Sequence, residues 1–196
     1  DLHSFPTRRS SDLLSIVPST LLLAIGSSVY MGTLDVSMLL LISVIYYFTV
    51  AIVEKSKDMR TYELTTARVL LMAMTASFAL YLSNNDRLVM GVALGVAALG
   101  NMIWSIGSMC VQKQPDKQHE IVLWVSFVAS LAAVSTIAGV ESPLRDMIIF
   151  ILLGMISAVS FMALALLRRA RFGGMVVTSG ILLVPAGVRL FGLEPI

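Results

Sequence analysis

The stretch SPLRDMIIFILLGMISAVSFMALALLRRAR, residues 142–171, decides the fold. Ser142-Pro143 reads as an N-cap followed by proline at the first helical position, where no amide hydrogen is needed. From about Leu144 to Leu167 the side chains are apolar except for Arg145 and Asp146 at the entrance and a few small hydroxyls. A hydrocarbon core about 30 Å thick is crossed by roughly twenty such residues in a helix. Arg168, Arg169 and Arg171 close the run with charge. Apolar and polar residues do not alternate, so the segment is a membrane helix and not a barrel strand.

The same pattern repeats outward in both directions. Apolar runs at about 14–34, 36–53, 67–82, 88–111, 121–140, 144–167 and 174–191 predict an all-α, polytopic transmembrane helix bundle of about seven spans. They form one integral membrane domain over 14–196, with the lipid bilayer as its principal partner. Composition agrees, with 57% apolar residues, mean hydropathy +0.88 and only 13% charged residues. A soluble domain carries about a quarter charged residues to face water. The net charge of +2 is therefore no nucleic-acid signature, because the basic residues sit at span ends, where they set orientation.

Between the spans, Asn84-Asn85-Asp86 reads as a tight turn pairing the third and fourth helices. Pro115-Asp116 reads as a turn and N-cap before the fifth, and Gly173-Gly174 as a break before the seventh. The third run is the shortest, and its amino end has room to extend back into the longest loop, about 54–66, which is otherwise the place for a short interfacial helix.

Residues 1–13 stand apart. DLHSFPTRRSSDL resembles a frame translation of the universal adapter ligated to sequencing libraries, with Leu13 forced by the adapter's last two bases. The expectation is that this segment is not native and that Arg8-Arg9 is not an export signal. His119 is then the lone histidine of the native part.

Lysines and arginines alternate between the loops. The loops after the second, fourth and sixth spans hold Lys55, Lys57, Arg60, Arg68, Lys113, Lys117, Arg168, Arg169 and Arg171, nine in all. The opposite loops hold Arg87, Arg145 and Arg189. The positive-inside rule puts the nine-charge side in the cytoplasm of a cell membrane, taken as a bacterial cytoplasmic membrane. The native amino end is then cytoplasmic and the carboxyl end outside.

The fourth span carries the most distinctive side chains. Gly91 and Gly95 form a GxxxG pair continued by Ala98, and Asn101, Ser105 and Ser108 lie within about 100° of that face. Two readings stand side by side. Small residues let helix backbones approach closely, and Asn or Ser can bond across helices, which makes a packing helix. The same face could line a polar pathway with Asn101 as a substrate ligand. Pro185, within the seventh span, removes a backbone hydrogen bond and kinks the helix, as gating or as plain structure. Scattered hydroxyls such as Ser126, Ser130, Ser157, Ser160 and Ser179 can bond back to a carbonyl one turn earlier, and mean little singly.

Absences narrow the field. No span carries an ionisable residue near its middle, where coupled pumps place theirs. Cys110 is the lone cysteine, read as a small packing residue, so there is neither a disulfide nor a thiol metal motif. No cofactor and no metal site are expected, and no hydrolase elbow, phosphate loop or paired haem ligand occurs. The expected function is transporter-like and not enzymatic, a permease or flippase, or part of one, for a neutral or amphipathic small molecule. The alternative is a non-catalytic scaffold subunit or sensory input region. Small-residue helix faces would then meet other membrane subunits or further copies of the chain, and no nucleic acid.

Overall fold

The structure, a computed structural model, describes residues 32–111 and 117–192. Among these residues there is no strand. Six long helices follow one another: α1 (Thr33–Val53), α2 (Lys57–Leu82), α3 (Arg87–Val111), α4 (Lys117–Ala138), α5 (Arg145–Leu167) and α6 (Gly173–Leu190), with a 3-10 turn at Ala170–Phe172 before α6. All six are long and apolar enough to cross a membrane. Among the described residues the count is six, against about seven expected of the whole chain. The expected first span, 14–34, lies outside the described residues except at its end, where Thr33 and Leu34 belong to α1 instead. The reading of residues 1–13 and the Pro115-Asp116 turn also lie outside them.

Boundaries follow local chemistry. Gly32 is extended and its amide hydrogen bonds to the Asp35 carboxylate at 3.2 Å, which starts α1. The α2–α3 turn is tight because Asn84 and Asn85 both take positive φ, 55° and 69°, which asparagine tolerates better than most residues. The chain breaks before α6 at Arg168, left-handed at φ 49°, and not at Gly173, which is helical at φ −57°. The Ser142 hydroxyl accepts the Leu144 amide at 3.3 Å, so Ser142-Pro143 builds a turn and the regular helix starts later, at Arg145.

The largest correction concerns α2. The expected loop at 54–66 is mostly helix, and α2 runs 26 residues without interruption. No glycine or proline occurs between Gly32 and Gly91, so nothing in the chain stops the helix from starting at Lys57. Arg68 is consequently the twelfth residue of a membrane-length helix rather than a loop cation. Of the nine expected loop cations, Lys57 and Arg60 stand in the first turn of α2 and Lys117 opens α4, so they stay at the basic end, whereas Arg68 lies deep in α2.

Successive helices form antiparallel hairpins, α1 with α2, α3 with α4 and α5 with α6. Helix α3 is central, packing on α2, α4 and α5, whereas α1 packs substantially on α2 alone among the described elements. The main core lies between α3, α4, α5 and α6, around Met102, Ile106, Leu123, Ile137 and Ile156. A smaller one joins α1 to α2 through Leu40, Val44, Tyr47, Ala67 and Leu70. Outward faces are apolar on every helix, as with Ile42, Leu71, Ile103, Val128, Phe161 and Val184. A surface this continuously apolar belongs in lipid. The architecture is that of an α-helical membrane protein.

Candidate functional site

Helix α3 presents two different faces. A Cβ added at Gly91 would lie 2.6 Å from Ile137 Cγ1 and 3.2 Å from the Ala133 carbonyl oxygen of α4. One at Gly95 would lie 2.9 Å from Leu152 Cδ2 of α5. The GxxxG pair thus sits where three helices approach closely, and Ala98 beside it is fully buried.

Asn101 and Ser105 meet α2. The Arg68 Nε donates to Asn101 Oδ1 at 2.9 Å, and its Nη2 donates to the Asn101 backbone carbonyl at 3.0 Å and to Ser105 Oγ at 2.9 Å. Asn101 Nδ2 donates back to the Arg68 carbonyl at 3.1 Å. The guanidinium carbon stands 5.3 Å from the centroid of the Trp104 ring. Arg68 is 8% exposed, whereas Trp104 is 66% exposed and forms part of the outer surface of α3. Among the described residues no carboxylate pairs with Arg68. Of its five N–H donors, the two on Nη1 meet no described residue.

Depth places this cluster inside the bundle. Arg68 lies fourteen residues before the end of α2, and Asn101 fourteen after the start of α3. Both therefore sit about 21 Å below the Asn84-Asn85 turn. The antiparallel hairpin brings the two into register, which sequence spacing alone does not reveal. Polar hydroxyls on neighbouring helices share the level. Ser126 on α4 and Ser157 and Ser160 on α5 have buried Oγ atoms that meet no hydrogen-bond partner among the described residues. Counted from the basic ends of their helices, they lie at about 10–15 Å, against about 17 Å for Arg68 and 9–15 Å for Ser105 and Asn101. Ser130 and Ser179, by contrast, bond to carbonyls of their own helices.

Arg68 and its neighbour Glu63 were missed by sequence reasoning, which placed no ionisable group deep in a span. Glu63 is 3% exposed, with Oε2 buried and unbonded among the described residues. It is turned about 140° around the α2 axis from Arg68, so the two do not neutralise each other. The signal that would have found both is the absence of any glycine or proline across residues 57–66, which lets the third span extend back over them.

The remaining candidates lie elsewhere. Ser108 is half-buried near the end of α3, beyond the Arg68 contacts. Pro185 lines a cavity of about 250 Å³ at the opposite end of the bundle, walled by Val134, Ile149, Leu153 and Leu182, with Asp146 and Arg189 also lining it. Cys110 is exposed rather than packed, and His119 stands in the first turn of α4. Trp124 packs edge-on to Phe127 and tilted against Phe172. At the basic end, Glu120 pairs with Arg169 at 3.2 Å and with Arg171. Among the described residues no three His, Cys, Asp or Glu side chains converge as metal ligands would.

Fold and site together define a multi-pass helical membrane protein with a buried guanidinium cluster. Comparison with protein-family models, with curated proteins and with solved structures finds no match for the chain.

Proposed function

We propose that the chain is a transporter-like membrane protein, a permease or flippase or part of one, for an amphipathic small molecule. The observation that carries this reading is Arg68, a buried cation on a membrane-length helix, with no carboxylate partner among the described residues. An arginine at the centre of a membrane helix costs about 3 kcal/mol even on the mildest insertion scale. Such a group is retained where it faces a site. Its ligands Asn101 and Ser105 come from the helix that touches three others, so movement of a substrate there would be felt across the bundle. Buried hydroxyls at the same level on α4 and α5 add polar surface to the reading.

In this reading the basic end of the bundle is cytoplasmic and the Asn84-Asn85 turn faces outward. Asn101→Leu removes an acceptor and a donor from the guanidinium at once. Purified protein in liposomes, assayed for uptake or transbilayer movement of amphipathic solutes, should lose at least about tenfold in rate with this variant. Equal flux in both proteins for every solute moved would remove the cluster from the mechanism.

A scaffold or subunit role is favoured by a different observation. Helix α1 packs substantially on α2 alone, leaving Ile42, Ile45, Tyr46 and Ile52 exposed. Native mass spectrometry from bilayer nanodiscs separates the two readings: a stable oligomer without flux supports the scaffold.

A further inference from the structure

We infer that Arg68 and Trp104 form a lipid-side binding site for an anionic oxygen group, the phosphate of a membrane amphiphile entering beside Trp104. The inference deepens the carrier reading by naming the chemistry of the substrate's head, and it rests on that reading only for the claim that the bound molecule moves.

The guanidinium is not free to turn. Three of its donors are used on Asn101 and Ser105, and the return bond from Asn101 to the Arg68 carbonyl fixes the α2–α3 spacing. These contacts leave the two hydrogens of Nη1, which diverge in the guanidinium plane and meet no described residue. Asn101 and Ser105 are both neutral, so hydrogen bonding satisfies geometry without cancelling the charge. Trp104, on the opposite partner helix, is mostly exposed and stands against the guanidinium, so the buried charge lies next to the lipid-facing surface. A buried cation with an uncancelled charge and two unmatched N–H donors binds phosphate or carboxylate oxygens through charge-assisted hydrogen bonds better than it binds neutral groups.

Position favours a lipid source. Lys57, exposed in the first turn of α2, lies within about 20° of Arg68 around the helix axis and about 17 Å toward the basic end. Arg60, also exposed, follows one turn later. Surface cations of this kind draw anionic headgroups to the membrane face. An acyl chain would then lie along the apolar outer surface of α3 at Ile103, which is exposed one residue before Trp104. Glu63 does not compete for the guanidinium, being on the α1 side of α2 with Ala67 and Leu70.

The test uses the full chain in nanodiscs of phosphatidylcholine with and without phosphatidylglycerol, read by native mass spectrometry after lipid stripping. Wild-type protein should retain phosphatidylglycerol selectively, and Arg68→Gln should reduce that selectivity about tenfold. A parallel arm titrates inorganic phosphate into phosphatidylcholine nanodiscs. Phosphate binding that Arg68→Gln abolishes, without lipid selectivity, assigns the anion to a soluble source. Neither kind of binding in the wild type, or either kind unchanged in Arg68→Gln, overturns the inference. Should Arg68→Gln fail to fold, Trp104→Leu on the exposed surface decides, with selectivity expected to fall about fivefold and unchanged selectivity overturning the claim. Binding without flux would remove the carrier reading and leave this site. Flux of a neutral amphiphile without anion binding would do the reverse.

Discussion

Four glycines of this chain differ in what a single methyl group would meet. At Gly91 it would press on Ile137 and on a backbone oxygen at 3.2 Å, which cannot turn aside. At Gly95 it would meet the end of the flexible Leu152 side chain. At Gly100 and Gly107 it would meet nothing within 4 Å. Gly91→Ala should therefore destabilise the bundle by about 1–3 kcal/mol and Gly95→Ala by less. Gly100→Ala and Gly107→Ala should stabilise it by about 0.5–1 kcal/mol through helix propensity. Thermal unfolding in detergent ranks the four, and equal costs at all four positions would show that α3 does not pack as described. The same scale explains why Asn101 and Arg68 belong together. Each is an ordinary polar residue until a partner helix puts the other within 3.1 Å.

Elements are joined at two places where a single residue controls an angle. Glu120, at the start of α4, holds Arg169 and Arg171 of the turn before α6, and its side chain is only 15% exposed. Glu120→Gln should cost about 1 kcal/mol, the upper end for a partly exposed pair. Added salt should weaken the native protein and leave the variant almost unchanged, because screening acts on the charge pair alone. Pro185 leaves the Ile181 carbonyl without its helical donor in the exposed half of α6. Pro185→Ala should restore that bond, so hydrogen exchange in the outer half of α6 slows measurably. A fall in liposome flux with the same variant would tie Pro185 to transport, and unchanged flux would leave it structural.

At the scale of the whole molecule, the six helices of the described residues alternate their ends, and the basic residues collect at one end of the bundle. Single cysteines placed at Lys55 and at Asn85, in a Cys110→Ser background, should label from opposite faces of intact cells, with Asn85 accessible from outside. Labelling of both from one face would reverse or dissolve the proposed orientation. Membrane class, helical type and the approximate ends of five of the six helices were legible in the chain, because lipid demands length and apolarity and both are local properties. The start of α2 was not legible by hydropathy, since Lys57–Thr66 is polar enough to resemble a loop. Its helical state follows from the lack of any breaker and from packing that buries Glu63, Thr65 and Thr66. What the sequence determined by itself is the solvent of this protein: runs of uncharged residues this long are stable only in oil. What tertiary structure alone decided is which polar groups meet. Arg68 and Asn101 are 33 positions apart, and only the register of an antiparallel hairpin, set by the Asn84-Asn85 turn and by close packing, brings a guanidinium to its acceptor.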